Sequence, residues 1–111
     1  MTAAVVDDDV WSAIGDPTRR RLLDLLLAGD ATATTLSEQL PVTRQAVAKH
    51  LAVLDRVALV HGTQVGREKR YRIDAAQLAR AVHQLASVQR AWDARLQRIK
   101  ALAESIERAK R

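Results

Sequence analysis

Apolar positions along this chain recur first at helical spacing, then in alternation, then at helical spacing again over a much longer stretch. Val10, Trp11 and Ile14 share one side of a first helix predicted over 8–14, whose opening aspartates suit the positive end of a helix dipole. Gly15 ends it. Asp16 is a good N-cap for the next helix, and Pro17 fits its first position, where no amide partner is lost. That helix runs to about Ala28, stops at Gly29-Asp30, and turns Leu22, Leu23 and Leu26 inward. A third helix is predicted over 33–40, capped by Thr32 or Thr34 and carrying Leu36 and Leu40 four residues apart. After the break at Pro41-Val42-Thr43, Thr43 caps a fourth helix from Arg44 to about Val57, with Val47, Leu51 and Leu54 on its core side. Two short helices joined by a three-residue turn make a helix-turn-helix.

The period then changes. Leu59-Val60-His61 and residues 69–73 flank a turn region containing Gly62 and Gly66, and Tyr71 and Ile73 alternate with Arg70 and Arg72. This is the signature of a hairpin with one face on the core and a basic face outward. From 75 to 110 there is neither proline nor glycine, and Leu78, Val82, Leu85, Val88, Trp92, Leu96, Ile99, Ala103 and Ile106 fall in steps of three or four. Such a helix would be on the order of 50 Å long, more than a domain this small can cover. An apolar stripe on an overhanging helix needs a partner, and the same helix of a second copy is the simplest one. A bend near 84–90 stays open. The chain is therefore expected to be one domain, with a core at 10–74 and a long dimerisation helix at 75–111.

Composition narrows the function. With 48% apolar residues in 111, the chain can bury a core, yet no apolar run approaches the eighteen or so residues of a membrane span. The start of the chain has Asp7, Asp8 and Asp9 where a secretory signal would need a basic segment and an apolar stretch, so residence in the cytoplasm is expected. Cysteine is absent, which removes disulfides, thiolate metal sites and cysteine chemistry together. Three aromatics are too few for a base-stacking platform of the single-strand type. Charge is unevenly placed: residues 1–40 carry a net −4, 41–73 a net +5 and 74–111 a net +4. A basic middle segment is the footprint of a polyanion-binding face.

Three motifs carry a resemblance. The runs Ala13-Ile14-Gly15-Asp16-Pro17-Thr18-Arg19-Arg20-Arg21-Leu22-Leu23, Val47-Ala48-Lys49-His50-Leu51-Ala52-Val53-Leu54 with Leu59-Val60, and Gly66-Arg67-Glu68-Lys69-Arg70-Tyr71-Arg72-Ile73 resemble the ArsR/SmtB family of winged-helix repressors. The likeness covers roughly residues 10–90, and the tail from Trp92 to Ile99 resembles a non-metal branch with an extended C-terminal helix. It implies a mainly α winged helix-turn-helix with a β-hairpin wing, a homodimer through the N- and C-terminal helices, and double-stranded DNA as partner. The helix from Arg44 would enter the major groove, and the hairpin would touch the backbone nearby.

The residues support the same assignment. If Val47, Leu51 and Leu54 face the core, then Arg44, Gln45, Ala48, Lys49 and Ala52 lie outward, behind the capping Thr43. Small Ala48 and Ala52 allow close approach, Gln45 can read adenine, and Arg44 and Lys49 suit guanine or phosphate. Arg67, Lys69 and Arg70 on the hairpin would neutralise phosphates. Dimer contacts are assigned to Trp11, Leu85, Val88, Trp92, Leu96 and Ile99. The resemblance also places Thr32 and Thr34 where metal-sensing members carry paired cysteines, and hydroxyls are poor ligands for soft metals. The last helix has His83 with no second histidine to pair with it. No metal and no cofactor are expected. His50 and His61 read as packing or backbone-bonding residues. The aspartates at the start have no partner base, and no phosphate loop or nucleophile elbow occurs, so no enzyme is expected. A transcription regulator, a repressor on a palindromic operator, is the first reading. An architectural DNA-binding protein and a winged-helix protein-interaction module are the alternatives.

Overall fold

The computed structural model describes residues 8–110; Asp7 of the acidic cluster and the last residue of the expected 75–111 unit lie outside them. Helices α1 (Asp8–Gly15) and α2 (Pro17–Leu27) come first. The oxygen Oδ1 of Asp16 accepts from the backbone N–H groups of Thr18 at 2.8 Å and Arg19 at 3.1 Å, the cap its sequence position predicts. A two-residue strand β1 (Ala31–Thr32) leads into α3 (Ala33–Ser37), then come α4 (Arg44–Arg56), β2 (Val60–Val65), β3 (Glu68–Ile73) and α5 (Ala75–Ala109). The strands form one antiparallel sheet in the order β1-β3-β2. The architecture is mainly α with a β-hairpin wing, the predicted fold.

Leu22, Leu23 and Leu26 of α2, Leu36 of α3, and Val47, Leu51 and Leu54 of α4 are buried together with Leu59, Val60 and Tyr71. Val10 and Ala13 attach α1 to this core, and Ala81 attaches the root of α5. Gln77 of α5 adds a polar anchor, its amide donating to the Val57 carbonyl at 3.0 Å.

Three boundaries differ from the sequence reading. Helix α3 stops at Ser37, short of Leu40. Thr32 and Thr35 close a capping box at its start. Beyond Ser37 the chain tightens, with Gln39 N–H donating to the Leu36 carbonyl at 3.1 Å, and Leu40 precedes a proline, which disfavours helical backbone. The hairpin strands are longer than expected. Gly62 sits inside β2 opposite Tyr71, and the turn is the two residues Gly66-Arg67. Gly66 has φ +64°, while Arg67 does not share the left-handed conformation, as in a type II′ hairpin turn. Strand β1 was not predicted, because two residues carry no readable period.

Helix α5 runs without interruption from Ala75 to Ala109, through residues 84–90. It dominates the shape: the molecule measures 70 × 36 × 21 Å, with a radius of gyration of 19.2 Å. A compact chain of this length would have about 13 Å.

Candidate nucleic-acid interface

Helix α4 is fixed at both ends. Thr43 Oγ1 accepts from Ala46 N–H at 3.1 Å. At the other end Leu59 N–H donates to the Leu54 carbonyl at 3.0 Å and Ala58 N–H to the Asp55 carbonyl at 2.9 Å, a Schellman closure. Its middle is pinned by Val47, Leu51 and Leu54, all fully buried. The opposite face presents Arg44, Gln45, Ala48, Lys49 and Ala52, every one exposed.

Arg44, Gln45 and Ala48 form one wall of an open groove of about 400 Å³. The wing forms the facing wall with Gln64, Arg67 and Lys69, and Thr32 and Thr34 close one end. The ammonium of Lys69 sits 5.7 Å from the centre of the Tyr71 ring. Lys49 lies on the exposed side of α4 but does not line the groove. Arg70 alternates to the other face of β3 and lines a separate hollow with Asp30, Gln39 and Glu68. Gln64 and Thr34 were absent from the sequence-based set. Alternation along β2 would have put Gln64 on the groove side, had Gly62 been placed within the strand.

The one contact within ion-pair distance among the described residues is the hydrogen bond of His61 Nε2 with Asp74 Oδ2, 2.8 Å long and remote from this groove. Arg44, Lys49, Arg67, Lys69 and Arg70 therefore form no ion pair among the described residues. Asp74 caps α5 by accepting from Gln77 N–H at 2.9 Å. That bond, followed by the one from His61, holds its carboxyl below the usual aspartate value. Asp16 is likewise lowered, chiefly by the Arg19 backbone N–H, then by the nearby charge of Arg19.

His50 points away from the groove and meets Arg19, whose Nη1 donates to its Nδ1 at 3.2 Å. The same guanidinium donates to the carbonyls of Ala13 at 2.7 Å and Ser12 at 3.0 Å. One side chain thus ties α1, α2 and α4 together. His61 likewise meets a side chain, Asp74, rather than the backbone partner that the sequence reading expected.

A second surface lies along α5. Leu85 and Val88 are half-buried, whereas Trp92, Leu96 and Ile99 are each at least half exposed, as are Leu102 and Ile106. Leu78, Leu85, Trp92, Ile99 and Ile106 are seven residues apart, the spacing of a helix–helix seam. Trp11 on α1 is 39% exposed.

A recognition helix held behind a capped turn, beside a hairpin with unpaired cations, defines a winged helix-turn-helix DNA-binding protein. A family described as helix-turn-helix domain matches residues 14–63. The transcriptional regulator CmtR of Mycobacterium tuberculosis is 41% identical over 81 residues, 73% of this chain and 69% of CmtR. The transcriptional repressor SdpR of Bacillus subtilis is 30% identical over 76 residues, covering 68% of this chain and 84% of SdpR. An ArsR-like transcriptional regulator from Rhodococcus sp. RHA1 superposes with a TM-score of 0.65 at 42% identity, covering 86% of this chain and 91% of its own. The solution structure of CmtR, described as a cadmium metal-sensor, gives a TM-score of 0.57 at 38% identity over 71% of this chain and 82% of its own. The chain belongs to the ArsR family of winged-helix transcription regulators, and is a DNA-binding regulator rather than an enzyme.

Proposed function

We propose that this protein is a homodimeric repressor of the cytoplasm that reads a palindromic operator with α4 and grips the flanking phosphates with the wing. In this reading residues 10–74 are the DNA-binding core and 75–111 the dimerisation helix. The observation that carries it is the groove between α4 and the wing, where Arg44, Arg67 and Lys69 outnumber the one lining carboxylate, Glu68, and form no ion pair among the described residues. Desolvating an arginine or lysine is costly without a counter-charge, and a phosphate backbone supplies one. Arg44, Gln45 and Lys49 stand where base edges would be met, with Ala48 and Ala52 leaving room for close approach and Thr43 fixing the first turn. Arg67 and Lys69 are the phosphate contacts on the groove side, and Arg70 is the one on the other face of the wing. Pairing runs through Trp11, Leu85, Val88, Trp92, Leu96 and Ile99, whose exposed apolar surface a second copy covers.

Metal plays no part in this proposal, although CmtR is described as a cadmium sensor. Cadmium is held by soft thiolates, and this sequence contains no cysteine. Thr32 is committed to the capping box of α3. The test is to select duplexes from a random pool with purified protein and sequence them. A recovered two-fold symmetric motif is the expected result; recovery without sequence preference would favour an architectural DNA-binding protein instead.

A further inference from the structure

Gly62 has no backbone reason to be glycine. It lies within β2, paired with Tyr71, and its φ is not positive, unlike those of Gly29 and Gly66. Glycine weakens a strand interior, so something else must favour it there. A methyl group at this position would overlap Cε of Lys69 and come within 3.2 Å of its Cδ and 3.0 Å of Cε1 of Tyr71. The stem of Lys69 thus lies flat across the bare backbone of Gly62, and its ammonium rests over the Tyr71 ring at 5.7 Å. Tyr71 is itself buried, so the ring is a fixed platform.

We propose that Gly62 is a positioning residue for DNA binding: its missing side chain lets Lys69 lie over Tyr71, holding the ammonium on the wing wall of the groove opposite Arg44 and Gln45. The proposal rests on the DNA-binding reading and adds to it a reason why one wing cation is placed before the duplex arrives. Lysine on an exposed hairpin samples many rotamers, and fixing it on a phosphate costs that freedom. A ring face that attracts the cation removes part of the cost in advance. Gly62 touches no nucleic acid; it acts through Lys69.

The test compares Gly62→Ala, Lys69→Ala and the double variant. In the free protein, NMR should show the Lys69 ε-methylene protons shifted upfield by the Tyr71 ring current, and Gly62→Ala should abolish that shift. On a labelled random-sequence duplex titrated at several salt concentrations, Gly62→Ala should weaken binding several-fold, and Lys69→Ala should lower the salt slope by about one. The double variant should bind as Lys69→Ala alone does, because the glycine would have nothing left to position. Three results would overturn the proposal: no upfield shift in the native protein, unchanged affinity in Gly62→Ala, or an added loss of affinity when Gly62→Ala is placed on Lys69→Ala. Failure of the native protein to bind any duplex would sink the DNA-binding reading instead, while leaving the ring-current result to stand separately.

Discussion

Ala58 occupies the left-handed residue of the closure that ends α4, with φ 63°, a conformation in which a β-carbon crowds the following carbonyl. Leu59 and Leu54, both fully buried, make the apolar contact that accompanies such a closure and hold the alanine there. Ala58→Gly is therefore expected to raise stability by about 0.5–1 kcal/mol, the relief of strain less the extra freedom of glycine in the unfolded chain, as read by urea denaturation. A second residue-scale expectation separates reading from gripping. Gln45→Ala should cost about 1–3 kcal/mol on the selected operator and relax base preference at one position per half-site. Arg67→Ala should weaken all duplexes alike and lower the salt slope by about one. Equal losses for Gln45→Ala on operator and scrambled DNA, with an operator-only loss for Arg67→Ala, would assign sequence reading to the wing. The outward set on α4 was legible because a buried stripe defines its opposite. The left-handed Ala58 was not, since alanine carries no turn signal, and neither was the Arg19–His50 contact, which joins residues thirty-one apart.

Elements with a long period were the easiest to read, and α5 is the longest. Its uninterrupted run without glycine or proline predicted a helix, and the exposed seam predicts its use. Truncation after Ser87 should remove Trp92, Leu96, Ile99, Leu102 and Ile106 together, leaving the core of the head intact. Light scattering should then report monomers or aggregates; a soluble, stable, dimeric product would refute pairing through this helix. The short elements were harder. Two-residue β1 exists only because β3 offers it an edge, with Ala31 opposite Tyr71 and Thr32 opposite Arg70. Likewise the wing was underestimated because a glycine was taken as punctuation, when in β2 it makes space. Lys69 and Arg70, neighbours on β3, face opposite sides of the sheet, an alternation that grouping them by charge alone did not use.

At the scale of the whole molecule, one relative with the same fold is described as a cadmium sensor, and composition constrains this chain. Calorimetric titration of cadmium or zinc at neutral pH should detect no stoichiometric site tighter than micromolar, because neither thiolates nor a histidine pair is present where the family resemblance would put them. One metal bound per chain at nanomolar affinity would reverse that view. The two-fold symmetry proposed here also sets the register on DNA, with affected positions recurring about ten base pairs apart or at a multiple of that spacing. From Gln89 to Lys110 every described residue of α5 is exposed, so none of them belongs to the buried core of the head. Substitutions there leave that core untouched, and under the proposed pairing the seam would decide which chains meet. A genome carrying several regulators of this build could keep their subunits from mixing by altering that half of one helix, and leave the DNA-reading surface of each untouched.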